Sequence, residues 1–572
     1  MSKFQALTLA AFSCLHASTA SAYPRQDVNL HVDYDYIIVG AGASGLTVAN
    51  RLSEDPAVTV LVIEAGDFDR NEDVITIPGL AGGAVGTKYD WNLTYPSSAS
   101  LNGRNISPLG KVVGGSTKLN RMVFDRGSKA DYDRWAELGN GDWQWKTLLP
   151  YFKKSEKFTG PTADIKKEYG ITTDPLLTDL QATFTPVIHL SSGLQPVKSL
   201  VAATGELDIN ISVDQANGNA IGGYFCPHNL NPETLTRSSA QDYYSAVSQR
   251  KNLQLLPGHQ VTRVITSKNG SSVRATGVEY AKNRDSVKKT LKAKKEVILA
   301  AGAIHTPQIL QVSGIGDSAL LSSIDVPVVV DLPAVGQNFH DHVFLAVVST
   351  IDAPIQGSNL TNNANFSAEA RAEYDQQKKG PLTSPTADFL LFLPLSNYTS
   401  AALDIHKQAT GQDGSKFLPT GTPAEVVKGY RKQQKVLNEK LLDPQSAILE
   451  IIWADGTSVL AFNTLTLEVP SRPSLQHFDS PEANPELLKN LLTSLFSPKV
   501  LSVPVHQLVP PAGSCKLGSR SEGGVVDEKL RVYGVKGLRI VDASVMPLLP
   551  ATHTMTTVYA VAEKAADLIK SG

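Results

Sequence analysis

Residues 34–66 read YDYIIVGAGASGLTVANRLSEDPAVTVLVIEAG, and this stretch decides the fold class. Tyr36 to Val39 form a short apolar strand, Leu46 to Leu52 carry a helical pattern, and Val58 to Ile63 form a second apolar strand that Glu64 closes. Between the first strand and the helix stand Gly40, Gly42 and Gly45, spaced Gly-x-Gly-x-x-Gly. The first glycine permits a tight turn, the second lets the backbone approach a pyrophosphate, and the third lets helix and strand pack closely. The helix N-terminus offers free N–H groups to phosphates, and Glu64 is placed to accept hydrogen bonds from a ribose. Glycines alone are a weak signal. With strand, helix, second strand and terminal acid in register they predict a Rossmann-like, dinucleotide-binding unit, without choosing between FAD and NAD.

The chain around this unit has 572 residues and a formal net charge of −2. That length calls for two or more domains. The balanced charge, with no basic stripe, argues against a nucleic-acid partner. Residues 1–22, MSKFQALTLAAFSCLHASTASA, read as a secretory signal peptide: Lys3 is the positive end, an apolar run follows, and Ala20-Ser21-Ala22 is a small-residue cleavage site. The run is shorter than the ~20 apolar residues a membrane span needs, and no later segment is long and apolar enough. Seven Asn-x-Ser/Thr acceptors follow, at Asn92, Asn105, Asn210, Asn269, Asn359, Asn365 and Asn397. Together these features predict a glycoprotein of the secretory pathway, secreted or held in an endomembrane compartment. Cys226 and Cys515 remain after cleavage, a number that allows one disulfide and does not require it. No paired-Cys zinc pattern is present, and no metal site is expected.

Two further stretches are rich in backbone-exposing residues. GKVVGGSTKLNRMVFDRGSKADYD, from Gly110, offers the amides and hydroxyls of Gly114, Gly115, Ser116 and Thr117 and the amide of Asn120. AGAIHTPQILQVSGIG, from Ala301, follows the strand KEVILAAG; Gly302 marks the turn, and Thr306-Pro307 is read as opening a helix that Gly314 and Gly316 close. These stretches resemble the first and second signatures of the glucose–methanol–choline (GMC) family of FAD oxidoreductases. GQNFHDHV, from Gly336, resembles a third family turn, and LRIVDASVMPLLPATHTMTTVYAVAEKAADLI, from Leu538, resembles the C-terminal flavin segment.

The resemblance implies an α/β fold: a Rossmann-like FAD-binding domain and an α+β substrate domain with a large antiparallel sheet. It divides the chain into 33–347, mainly FAD-binding; 348–500, mainly substrate-binding; and 501–572, which returns to the FAD domain with the active-site residue. It implies FAD rather than NAD, adenine contacts at Val261, and a flavin contact at Asp542. Leu119 stands where some relatives link FAD through a histidine, so the FAD is expected to be non-covalent. The helical period of Met555 to Ile569 places Val558, Ala562, Ala565 and Leu568 on one side. His340 and His342 are read as parts of a structural turn, His305 as serving the second-signature turn, and the segment from Glu425 as a solvated amphipathic helix.

The family oxidises alcohols by hydride transfer to flavin, and a histidine three residues before a Gly-Thr or Gly-Ser pair takes the hydroxyl proton. Here the pair is Gly513-Ser514 and the residue three before it is Pro510. The family's second position, a His or Asn just before the C-terminal helix, is His553. His506 is a further candidate, but four residues along a strand separate it from Pro510 by roughly 13 Å, against the ~3 Å reach of a general base. The expectation is therefore a catalytic loop without its main base, leaving His553, whose position beside a helix N-terminus would favour a neutral ring. The implied partners are a small-molecule alcohol, of aromatic or polyketide-derived type in fungal secondary metabolism, and dioxygen or another electron acceptor. The missing base also raises a non-redox, FAD-retaining cyclase resembling versicolorin B synthase.

Overall fold

The computed structural model describes residues 30–94, 108–173, 186–188, 195–212, 214–344, 359–385, 387–452, 506–507 and 511–572. The expected signal segment, Asn105 and Pro510 lie outside them. In chain order, the elements that build the site begin with strand β1 (Asp33–Val39), helix α1 (Ala43–Leu52), β2 (Val60–Ile63) and β3 (Gly222–Phe225). Next come β4 (Leu253–Leu256), β5 (Gln260–Asn269), β6 (Ser272–Ala281), β7 (Lys289–Leu299) and α2 (Gly302–Val312). The C-terminal part supplies β8 (Phe389–Leu393), α3 (Ala424–Lys440), β9 (Leu449–Ile452), β10 (Val535–Lys536), β11 (Leu538–Ile540) and α4 (Met555–Lys570).

One eight-stranded sheet runs β10-β6-β7-β1-β2-β4, with β11 also on β7 and β5 on β6. β1 pairs in parallel with both β2 and β7. Strands covered on both faces read as unbroken apolar runs, and Ile37, Ile38 and all of β2 are buried. β2 starts two residues later than expected because Val58 is still in the preceding turn, donating its N–H to the Asp55 carbonyl.

The second sheet is antiparallel and, among the described residues, three-stranded, in the order β9-β8-β3. Residues 345–358 and 453–505 lie outside the description. The sheet's strand β3 comes from within 33–347, so the boundary at 348 is crossed by pairing.

One expectation about helices is corrected. α2 begins at Gly302, so Pro307 lies inside the helix and not in its first turn. A proline there removes the amide that would satisfy the carbonyl four residues back. That carbonyl belongs to Ala303, and the Ser514 hydroxyl donates to it at 2.6 Å. A residue of the Gly-Ser pair thus replaces a bond the flavin-side helix cannot make. α4 is the expected helix and is buried nearly all round; on the side its period picks out, Ala562 and Ala565 are buried, and Val558 and Leu568 are among its less covered residues. The reason is that α4 lies between α1 and the helix Trp145–Ser155. Arg51 of α1 makes a two-pronged pair with the buried Glu563 of α4, Nε to Oε2 at 2.8 Å and NH2 to Oε1 at 2.7 Å.

The segment from Glu425 is helical as expected. It is anchored by Gln433, whose amide donates to Asn338 Oδ1 and the Pro547 carbonyl. Cys226 and Cys515 are both free and buried.

Ser514→Ala should uncover the Ala303 carbonyl and cost about 1–3 kcal/mol, the usual penalty for a buried group left unpaired. Ser514→Thr should recover much of it. Denaturant unfolding of the flavin-loaded protein measures both.

Candidate active site

The loops at the carboxyl ends of β1, β2 and β7 enclose a cavity of about 560 Å³ with the first signature and the start of α4. Gly40, Gly42, Glu64, Gly115, Ser116, Asn120, Val261, Asp542 and His553 all line it. Of the residues expected to bind cofactor, only Gly45 does not. Its task is packing: a Cβ there would overlap the Gly40 carbonyl oxygen. The N-terminus of α1 has no side-chain cap, which leaves its amides free for an anion. The first signature closes over this turn so tightly that a Cβ on Gly115, where φ is +57°, would come within 2.8 Å of Gly42 Cα.

Both acids expected to touch the nucleotide also hold this cradle together. Glu64 accepts from the Ala41 amide through Oε2 and the Gly66 amide through Oε1, each at 2.8 Å. Burial outweighs these bonds and raises its pKa to about 7. Asp542 accepts from the Gly302 amide at 2.9 Å, the Thr306 hydroxyl at 2.6 Å and the Ser544 amide at 2.8 Å, and burial raises its pKa too. Arg237 pins the first signature through the Thr117 and Asn120 carbonyls and Asn120 Oδ1. Leu119 is buried against Val112 and Tyr89 and offers no nucleophile for a covalent link. A cavity of this size, glycine turns and uncapped amides fit a dinucleotide.

His553 lines the same cavity beside Pro511, Met555 and Val558. Its Nδ1 faces Asp125, 3.3 Å from Oδ1 and 3.4 Å from Oδ2, and Glu450 Oε1 of β9 at 3.7 Å. The expected neutral ring is contradicted. α4 starts at Met555 with Thr554 as its cap, so His553 stands outside the helix. Burial opposes charge on the ring, but Glu450 and then Asp125 overcome it and raise its pKa to about 9.

His506 forms a two-residue strand with Gln507, paired with Val343–Phe344. His340 bridges Ala512 through backbone, and His342 Nε2 sits 3.0 Å from the Pro550 carbonyl oxygen, so this turn braces the loops that carry Ala512 and Pro550. His305 packs against Trp91, with ring centroids 4.2 Å apart and planes tilted by 36°, and its ring makes no hydrogen bond among the described residues. Among the described residues no cluster of three or more His, Cys, Asp or Glu is arranged to hold a metal.

Asp125, Tyr224, Arg237 and Glu450 were not anticipated. The one signal for Asp125 is its place after the apolar Val123-Phe124, where an acid must find a partner if buried.

Residues 34–344 match the N-terminal model of the GMC oxidoreductases, and residues 494–562 match the C-terminal one. The chain belongs to the GMC oxidoreductase family. This oxidoreductase is 34% identical to the dehydrogenase xptC of Emericella nidulans, over 94% of this chain and 93% of the relative. It superposes on an FAD-dependent oxidoreductase from Chaetomium thermophilum with a TM-score of 0.81 at 30% identity, covering 94% of this chain and 99% of that one. A fungal aryl-alcohol oxidase follows at TM-score 0.77 and 30% identity, covering 95% and 99%. FAD is thus the cofactor that the cradle holds, and no described helix is long and apolar enough to cross a membrane.

Glu64→Gln can satisfy only one of the two amides. Losing a charged hydrogen bond of about 1.5–3 kcal/mol should weaken FAD retention roughly tenfold or more. Flavin absorbance per protein after gel filtration checks it; full retention would show that the clamp is dispensable.

Proposed function

We propose that this oxidoreductase oxidises an aromatic or other largely apolar alcohol, a tailoring step in fungal secondary metabolism. The observation that carries the reading is His553 in the flavin cavity, with Nδ1 turned to carboxylates and Nε2 without a protein partner among the described residues. FAD, held non-covalently in this cavity, would supply the hydride acceptor, with dioxygen or another acceptor as the final oxidant. His553 receives the hydroxyl proton. Met122, Val123, Pro511 and Val558 line the cavity with it, a wall that suits an apolar ring better than a sugar. The names of the similar proteins, a dehydrogenase and an aryl-alcohol oxidase, agree with this class. His506, in the two-residue strand paired with Val343–Phe344, takes no part in the proposed step.

Proline at position 510 favours a second reading, ring closure without net oxidation in an FAD-retaining cyclase. Anaerobic addition of aryl and allylic alcohols separates the two. Bleaching of the flavin is expected. Conversion of a compound to an isomer with the flavin still oxidised would favour the cyclase. His553→Ala should slow bleaching by ~10²–10⁴-fold, the usual loss of a general base, while His506→Ala leaves it largely intact. The reverse pattern would contradict the assignment.

We also infer a secretory location from residues 1–22 and the acceptors. Asn92, Asn210, Asn269, Asn365 and Asn397 are exposed, which supports glycan attachment. Endoglycosidase treatment of protein secreted by a eukaryotic host should lower its apparent mass; an unchanged mass would count against it.

A further inference from the structure

Asp125 is fully buried, at 0% exposure, yet it carries a charge. Burial alone would raise its pKa; His553 and the Tyr224 hydroxyl more than reverse that and hold it below the ordinary carboxylate value. Its contacts are directional. Tyr224 Oη donates to Oδ2 at 2.8 Å, the His553 backbone amide donates to Oδ1 at 3.2 Å, and the Asp125 carbonyl accepts from the Thr556 hydroxyl. One residue therefore sets the main chain and the ring of His553 together. Tyr224 is in turn held flat against Phe392 of β8, with centroids 5.7 Å apart and planes 7° apart.

We propose that Asp125 and His553 form a carboxylate–imidazole pair in which Asp125, steadied by Tyr224, is the positioning residue that turns His553 Nε2 into the acceptor of the substrate proton. The proposal rests on the alcohol-oxidation reading. A carboxylate on Nδ1 selects the Nδ1–H tautomer and leaves the Nε2 lone pair toward the cavity. In the step, the substrate O–H bond breaks and its proton forms an N–H bond at Nε2. The hydride leaves the carbinol carbon for FAD, and the oxygen stays on the carbonyl product. The arriving proton makes an imidazolium beside an anion already in place, so little reorganisation accompanies the charge. With proline at 510, this pair strengthens the one histidine that remains.

Among the described residues, the charged and titratable groups facing His553 are Asp125 from the first signature, Glu450 from β9 and His342 from the turn after Gly336. Burial keeps His342 neutral near pH 7, its pKa lowered to about 4, and raises Glu450 to about 7. The net field favours the imidazolium. The sign follows: below about pH 9 the ring is mostly charged, so the base-competent fraction, and flavin reduction with it, rises with pH up to that point. An ordinary histidine would level off near pH ~6.5.

The test uses the FAD-loaded enzyme labelled with ¹³C and ¹⁵N histidine, with His553 assigned by His553→Gln. Imidazole shifts report tautomer and titration without turnover, and anaerobic stopped-flow reduction is measured alongside. Asp125→Asn keeps the shape and removes the charge. It should lower the His553 titration by a unit or more, lose the Nδ1–H preference, and slow reduction by ~10²–10⁴-fold. Because Asp125 also anchors residues 553–556, Tyr224→Phe is read in parallel; it should slow reduction about tenfold, the loss of one hydrogen bond to a charged group. A His553 titration unmoved by Asp125→Asn overturns the pair whatever the flavin does. Wild-type reduction rates in Asp125→Asn across the pH range overturn its role. A shifted titration in an enzyme that no alcohol reduces would count against alcohol oxidation and not against the pair.

Discussion

Buried carboxylates that accept backbone amides hold this molecule's working parts together. Glu64 ties the end of β2 to the glycine turn after β1, and Asp542 ties the C-terminal segment to the start of α2. Asp125 does the same between the first signature and the start of α4. Glu64 closes one strand–helix–strand unit, while Asp542 and Asp125 join stretches 240 and 428 residues apart, and each lies in a setting where an unpaired charge would be costly. The cavity exists because these segments converge, and its glycines exist because they converge so closely. Ser514 extends the pattern with a hydroxyl, supplying the helix bond that Pro307 forgoes.

The flavin half was legible because its constraints are local. A turn that forbids a Cβ demands glycine, and parallel strands buried on both faces demand continuous apolar runs, so β1, α1, β2 and the cavity-lining glycines follow from spacing alone. The protonation of His553 was not legible. A helix terminus can be read from sequence, but the carboxylates that outweigh it come from positions 125 and 450, brought near by tertiary folding. Pro307 misled for a similar reason: proline opens helices by default, and only a partner two hundred residues away makes an interior site tolerable. The two-sided packing of α4 carries no single apolar stripe for a sequence to show.

The proton-handling side therefore differs from a two-residue arrangement in a specific way. In the proposed mechanism, proline at 510 stands where a titratable group is expected, and a buried acid within the first signature strengthens His553. A base with a raised pKa is less often free at neutral pH but holds its proton more firmly when it acts. The oxidation such a site serves should be one in which proton removal is demanding and high turnover is not.

The central claim is that His553 Nε2 meets the reacting oxygen while Asp125 holds Nδ1. Its most direct test is a crystal structure of the FAD-loaded enzyme with an unreactive analogue of an alcohol that it oxidises. The account predicts the analogue's oxygen about 3 Å from Nε2, within general-base reach, with the Nδ1–Asp125 contact kept. An oxygen bound instead by His506, or a ring turned away from Asp125, would contradict it.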